Sequence, residues 1–231
     1  MIEVIKGNIF TSNCQTIVNT INCVGVMGKG VAFEYRLRYP EMCEKYVELC
    51  KNRLIQIGTL WIFKAPDKWI LNFPTKFHWK YPSKVEYLEK GLQKFVETYH
   101  EKQITSIAFP LLGASNGGID ESISLATMEK YLSKCDDIKV EIYKYDPTAN
   151  DDLFISFKNF WLTTNENELS KTSGIKPLYV KKIKDALNNQ NIYAMSQLLR
   201  FDGIGENTIE KAFKTAKELS NQPIQGSLFD L

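Results

Sequence analysis

Asn19-Thr20-Ile21-Asn22-Cys23-Val24-Gly25-Val26-Met27-Gly28-Lys29-Gly30 runs from a short β-branched stretch, through three glycines, into a helical pattern at residues 31–37. A strand, a glycine turn and a helix N-terminus in that order bring backbone N–H groups up to an anion, with the helix dipole behind them. Neither common nucleotide loop fits. The glycines at 25, 28 and 30 miss the G-x-G-x-x-G spacing, and Gly28-Lys29 is followed by Gly30 where a Walker loop needs Ser or Thr for magnesium. The stretch reads as an anion cradle with no γ-phosphate to hydrolyse.

A second stretch repeats the logic. Pro110-Leu111-Leu112-Gly113-Ala114-Ser115-Asn116-Gly117-Gly118-Ile119-Asp120 follows an apolar run at 104–109 and precedes a helical pattern at 121–132. In a parallel arrangement both loops lie at the carboxyl edge of one sheet, where ligands bind, and together they can grip a diphosphate from two sides. For either loop alone, a tight turn with glycine at positive φ is the bland alternative; the pair favours a site.

Around these loops, residues 2–6, 16–19, 59–63, 69–73, 104–109 and 140–145 read as strands, and 84–99 and 121–132 carry apolar stripes at helical spacing. Ala65-Pro66-Asp67 turns one strand into the next as an antiparallel hairpin. Residues 146–152 are polar and turn-prone, no strand pattern follows them, and 153–162, 176–187, 192–199 and 207–219 read as helices. The expected fold class is α/β, a mixed β-sheet sandwiched between helices, plus a small all-α C-terminal domain. The expected division is 1–146, a linker and helix at 147–170, a helical module at 171–220, and a tail at 221–231.

Composition narrows the function classes. Of 231 residues, 44% are hydrophobic and 24% charged, enough for a core without covalent staples. Five cysteines, odd in number and never spaced C-x-x-C, argue against a disulfide framework or a zinc site, and two histidines exclude a histidine-rich metal centre. No run of about 18 apolar residues occurs and the first residues lack the pattern of an export signal. A cytoplasmic protein without a membrane partner is expected.

Lys6-Gly7-Asn8-Ile9, Val18-Asn19-Thr20-Ile21-Asn22, the glycine loop through Gly30 and the stretch from Pro110 to Asp120 resemble the macrodomain pattern for ADP-ribose binding. Within that superfamily, the run from Val24 to Ala32 and Asn72-Phe73-Pro74-Thr75-Lys76-Phe77-His78-Trp79 resemble the DarG branch, the DNA ADP-ribosyl glycohydrolase antitoxins. The resemblance covers about residues 1–146. It implies a hydrolase that removes ADP-ribose from thymidine in DNA, releases ADP-ribose, needs no cofactor or metal and is paired with a toxin. Lys76, in the Pro-Thr-Lys motif, is the implied functional residue.

The residues themselves are consistent with that chemistry. A strand at 69–73 delivers Lys76 to the sheet edge of the glycine loops. Cleavage at the anomeric carbon builds oxocarbenium character and negative charge on the departing base, so an amine there either donates a hydrogen bond to the base or attacks the carbon. Asn22 suits the sugar hydroxyls or the base, since an amide donates and accepts. Asp120 is the second catalytic candidate, by analogy with a related branch acting on ADP-ribosylated glutamate, and equally a helix N-cap. Asn8 stands where most macrodomains hold adenine with an aspartate, next to Ile9. The cradle itself is Gly25, Val26, Met27, Gly28, Lys29, Gly30 and Val31 with Gly113, Ala114, Ser115, Asn116, Gly117 and Gly118. A hydrolase of ADP-ribosylated acidic side chains and a non-catalytic ADP-ribose reader are the alternative functions.

Contacts to DNA are expected in two places. His78, Trp79 and Lys80 interleave rings and charge beside Lys76, as single-stranded DNA requires. Leu198-Leu199-Arg200-Phe201-Asp202-Gly203-Ile204-Gly205-Glu206-Asn207 resembles a helix-hairpin-helix, whose Gly203, Gly205 and Asn207 would face a phosphate. Residues 171–220 carry nine Lys and Arg against five Asp and Glu, a surplus in keeping with that reading. The tail Gln225-Gly226-Ser227-Leu228-Phe229-Asp230-Leu231 resembles the short peptides that dock on a bacterial sliding clamp.

Overall fold

The computed structural model describes residues 2–188 and 191–220, and the chain divides into two compact units, Met1–Pro147 and Thr148–Leu231. The first unit is built on six strands: β1 (Ile2–Gly7), β2 (Thr16–Asn22), β3 (Trp61–Lys64), β4 (Trp69–Lys76), β5 (Ser106–Pro110) and β6 (Lys139–Tyr145). They form one sheet in the order β1-β6-β5-β2-β4-β3, parallel throughout except for the β3–β4 hairpin across Ala65-Pro66-Asp67.

Helices α1 (Gly30–Arg38) and α2 (Pro40–Lys51) follow β2, α3 (Val85–Thr98) follows β4, and α4 (Glu121–Leu132) follows β5. Strand alternation feeds two cores. Leu71 and Phe73 of β4 join Leu88, Leu92 and Phe95 of α3 and Met128 and Leu132 of α4. Ile70, one residue out of phase, joins Ile17, Ile21, Tyr35, Met42 and Tyr46 in the other core. The sandwich is therefore dictated by a period of two in the strands and of 3.6 in the helices. Helix α3 sits unusually close to β4 because Gly91 has no side chain: a Cβ there would overlap the tip of the Phe73 ring.

Several elements differ from the sequence expectation. Strand β2 continues past Asn19 to Asn22, and β4 past Phe73 to Lys76. Helix α2 was not expected; Pro40 at its first turn and the buried row Met42, Tyr46, Cys50 at i, i+4, i+8 are its signals. The polar link expected after residue 162 holds a further helix.

The second unit comprises α5 (Asp152–Thr163), α6 (Glu166–Ser173), α7 (Pro177–Leu187) and α8 (Glu206–Ser220), with no strand among its described residues. Asn165 caps α6 by accepting from the Glu168 N–H at 2.9 Å, and Gly174 ends it in the left-handed conformation. Phe157 and Trp161 of α5, fully buried, pack with α7 and α8. The helix expected at 192–199 is instead a 3-10 turn at Met195–Arg200: Ala194 is extended, so no helical turn runs through it, and the Tyr193 N–H is met by the Gln197 side chain at 2.9 Å. The 225–231 tail lies outside the described residues.

Candidate active site

Strands β5, β2 and β4 are parallel neighbours, so their carboxyl ends open side by side at one edge of the sheet. From β2 issues the loop Gly25–Gly30 into α1, from β5 the loop Gly113–Gly118 into α4, and β4 ends on Lys76. Asn8 and Ile9 follow β1 at the same edge. From β1 to β4 there are four inter-strand spacings, about 19 Å, a length that suits an extended dinucleotide-like guest.

Asn22 organises the first loop. Its Nδ2 donates to Val26 O at 2.5 Å, and its Oδ1 accepts from Val24 N at 3.0 Å and Val26 N at 3.4 Å, while Tyr46 Oη–H donates to Asn22 O at 2.6 Å. The side chain expected to meet a sugar is thus buried and turned to its own loop, because that turn leaves main-chain groups that need partners. Met27 is buried too, its sulfur 3.9 Å from Asn19 Nδ2. Asn19 itself pairs with Asn72 across β2 and β4 at 2.9 Å, a structural amide.

In the second loop Gly113 and Gly118 have φ of +67° and +79°, and a short 3-10 turn spans Ser115–Gly117. The loops meet at Asn116. A Cβ on Gly30 would stand 2.7 Å from Asn116 Nδ2, and the Lys76 Nζ donates to Asn116 O at 2.6 Å. Asn116, expected as one of several cradle residues, is therefore the junction of both loops and the lysine.

Lys76 owes its place to Pro74. Ile21 pairs with Pro74, but Asn22 pairs with Lys76, so the ladder slips by one residue where proline brings no N–H. The Cys23 N–H then donates to Lys76 O at 3.1 Å and Phe77 O at 3.2 Å, fixing the end of the strand. Burial lowers the Lys76 amine below its usual value of 10.5. A proline inside a strand pattern was the available signal for this bulge.

Asp120 caps α4: its Oδ1 accepts from the Ser122 N–H at 2.8 Å and from the Ser122 hydroxyl, and these bonds hold its carboxyl below the usual range. Asn8 caps the 3-10 turn Ile9–Thr11, its Oδ1 accepting from the Phe10 N–H at 3.1 Å. Among the described residues no group of three or more His, Cys, Asp or Glu is placed to hold a metal ion. No helix among them is long and apolar enough to cross a membrane.

The other expected DNA residues are in the second unit. Gly203, at φ +77°, Gly205 and Asn207 line an open pocket of about 450 Å³ with Tyr179, Ile204 and Thr208. Lys182 of α7 donates to Asp202 O at 3.3 Å beside it.

The macro domain family model matches residues 18–128, inside the first unit. The macrodomain of Mycobacterium tuberculosis DarG superposes with a TM-score of 0.60 at 38% identity, over 62% of this chain and 97% of that one. The chain belongs to the macrodomain family. Its macrodomain is also similar to the DNA ADP-ribosyl glycohydrolase of Thermus aquaticus, 37% identical over 154 residues, which are 65% of this chain and 42% of the relative. Thermosipho africanus DarTG, solved in complex with ADP-ribose, is 34% identical over 63% of this chain and 41% of that one, with a TM-score of 0.60. The chain spans less than half the length of the curated relatives it matches, 42% of the Thermus aquaticus protein and 35% of the Mycobacterium tuberculosis one. The mixed α/β sandwich expected from the strand and helix patterns, and the macrodomain fold implied by the resemblance, are observed in the first unit.

Proposed function

We propose that this chain is a DNA ADP-ribosyl glycohydrolase that cleaves the N-glycosidic bond between ADP-ribose and thymine in DNA. The observation that carries the reading is Lys76 Nζ, 2.6 Å from the Asn116 carbonyl where the two glycine loops meet. Main-chain N–H groups of the loops hold the pyrophosphate, Asn8 receives the adenine end, and the distal ribose lies beside Lys76. Similarity to proteins named DNA ADP-ribosyl glycohydrolase supports the substrate.

The lysine acts as a hydrogen-bond donor. Its amine already donates to a carbonyl, and exchanging that carbonyl for one on the departing base keeps the geometry. The bond from the anomeric carbon to the base nitrogen breaks, the electron pair leaves with the base, water adds to the carbon, and the proton lost by water ends on the base. Asp120 holds the second loop through the cap of α4, and Asn22 holds the first. No step in this scheme is assigned to a metal.

The second unit grips the DNA backbone through the Gly203-Ile204-Gly205 turn and the first N–H groups of α8, with Lys182 close by. Similarity to the DNA ADP-ribosyl transferase-DNA ADP-ribosyl glycohydrolase fusion protein of Thermosipho africanus supports a transferase that adds the mark, the expected toxin, as the partner.

The test is a substrate comparison. Purified protein is given an oligonucleotide ADP-ribosylated on thymidine and a protein ADP-ribosylated on glutamate, and released ADP-ribose is quantified. Turnover of the oligonucleotide at low enzyme concentration is expected. Preference for the protein substrate moves the assignment to the acidic side-chain hydrolases, and binding of ADP-ribose without turnover of either makes the chain a reader.

A further inference from the structure

Beyond Lys76 the chain reads Phe77-His78-Trp79-Lys80-Tyr81, and three of these rings lie largely in solvent: Phe77 is 60%, Trp79 48% and Tyr81 65% exposed. Aromatic side chains bring the largest gain on burial, so a row of them left in water just beyond Lys76 requires a reason.

The row is built, not loose. At one end Phe77 O accepts from the Cys23 N–H of the first loop at 3.2 Å, and at the other the Ser83 N–H donates to Gly117 O of the second loop at 2.8 Å. Between them His78 is the keystone: its ring stacks on Trp79 with centres 5.6 Å apart and planes 25° apart, lies 5.5 Å from Tyr81, and accepts from the Lys80 N–H through Nδ1 at 3.2 Å. The Tyr81 N–H closes the turn on His78 O at 3.1 Å. Lys80 Nζ sits 5.3 Å from the centre of the Trp79 ring.

Charge and composition say what covers it. Between Trp69 and Glu86 the chain holds Lys76, Lys80 and Lys84 and no acidic residue, and the strip from 77 to 81 has no aliphatic side chain. Ring faces framed by cations match stacked bases joined by phosphates, whereas an apolar protein surface would leave the lysines without anions.

We propose that Phe77, Trp79 and Tyr81 form a stacking platform for the unmodified bases next to the modified nucleotide, so that the enzyme reads its target as part of a single strand. This inference rests on the proposed glycohydrolase activity. A duplex keeps its bases stacked on one another and cannot use the platform; a single strand can.

The experiment compares kcat/KM for an ADP-ribosylated single-stranded oligonucleotide and for the ADP-ribosylated nucleoside. Wild type favours the oligonucleotide, and the double variant Trp79→Ala/Tyr81→Ala loses that advantage by roughly tenfold or more, mainly through KM, as expected when one or two bases no longer have a ring to stack on. Trp79→Phe, which keeps a ring, retains the advantage. No preference for the oligonucleotide in wild type, or an equal loss on both substrates in the double variant, overturns the platform. A second measurement does not need turnover: unmodified oligodeoxythymidylate quenches tryptophan emission saturably in wild type and not in Trp79→Phe. If wild type hydrolyses neither substrate, the glycohydrolase reading fails and this quench alone decides the platform, its absence overturning it.

Discussion

Lys76 and Asn116 carry the heaviest demands placed on single residues. The amine sits under partial burial with a main-chain carbonyl at 2.6 Å, a place that lowers its pKa yet keeps it donating. Lys76→Ala is expected to abolish turnover while ADP-ribose affinity, measured calorimetrically, stays close to wild type; a parallel fall in both would make the lysine a binding residue. The pH profile follows from the sign of the shift. A donor must be protonated, so activity is full below the lowered pKa of Lys76 and falls as pH rises through it, with a midpoint under 10.5. An attacking amine would give the opposite, a limb that rises over the same range. Lys76 was legible in the sequence through its motif. Its bond to Asn116 was not, because the two are 40 residues apart and meet only when β4 and β5 flank β2.

At the scale of elements, the approach of α3 to β4 sets where the lysine strand lies. Gly91 against Phe73 is the feature that permits it. Gly91→Ala gains helix propensity but must displace a fully buried ring or the helix itself, so it is expected to destabilise by about 1–3 kcal/mol, lowering Tm by roughly 2–4 °C per kcal/mol in a calorimetric scan. A Tm equal to wild type would show that the ring has room to give. Helix α3, expected at 84–99 and observed at Val85–Thr98, was readable because Leu88, Leu92 and Phe95 recur at helical spacing on one buried face; α4 matches its expected bounds too, although Ile123 of its expected stripe is exposed. Helix α2 was hidden by its interleaved glutamates and lysines, and the 192–199 segment misled because an apolar spacing does not reveal that Ala194 will be extended.

At the scale of the whole molecule, the chain pairs a macrodomain with a helical unit that has its own core of Phe157, Trp161, Leu187 and Phe213. Cutting after Pro147 follows that division. The resulting 1–147 chain is expected to bind unmodified single-stranded DNA more weakly than the full chain and with a shallower dependence of log K on log salt, the slope falling by about 0.7 for each phosphate that the second unit neutralises. Unchanged affinity and slope, by fluorescence anisotropy across a salt series, would remove the second unit from DNA binding. The strand-loop-helix repeats, the helical character of the second half and the candidate lysine were legible in the residue order, because these depend on local periodicity, glycine and proline placement, and a short motif. That Pro74 shifts the ladder to set Lys76 opposite Asn22, that Asn22 faces its own loop, and that both glycine turns close on Asn116 emerged with the assembled sheet, because these outcomes depend on which strands become neighbours and which buried polar groups must then find partners.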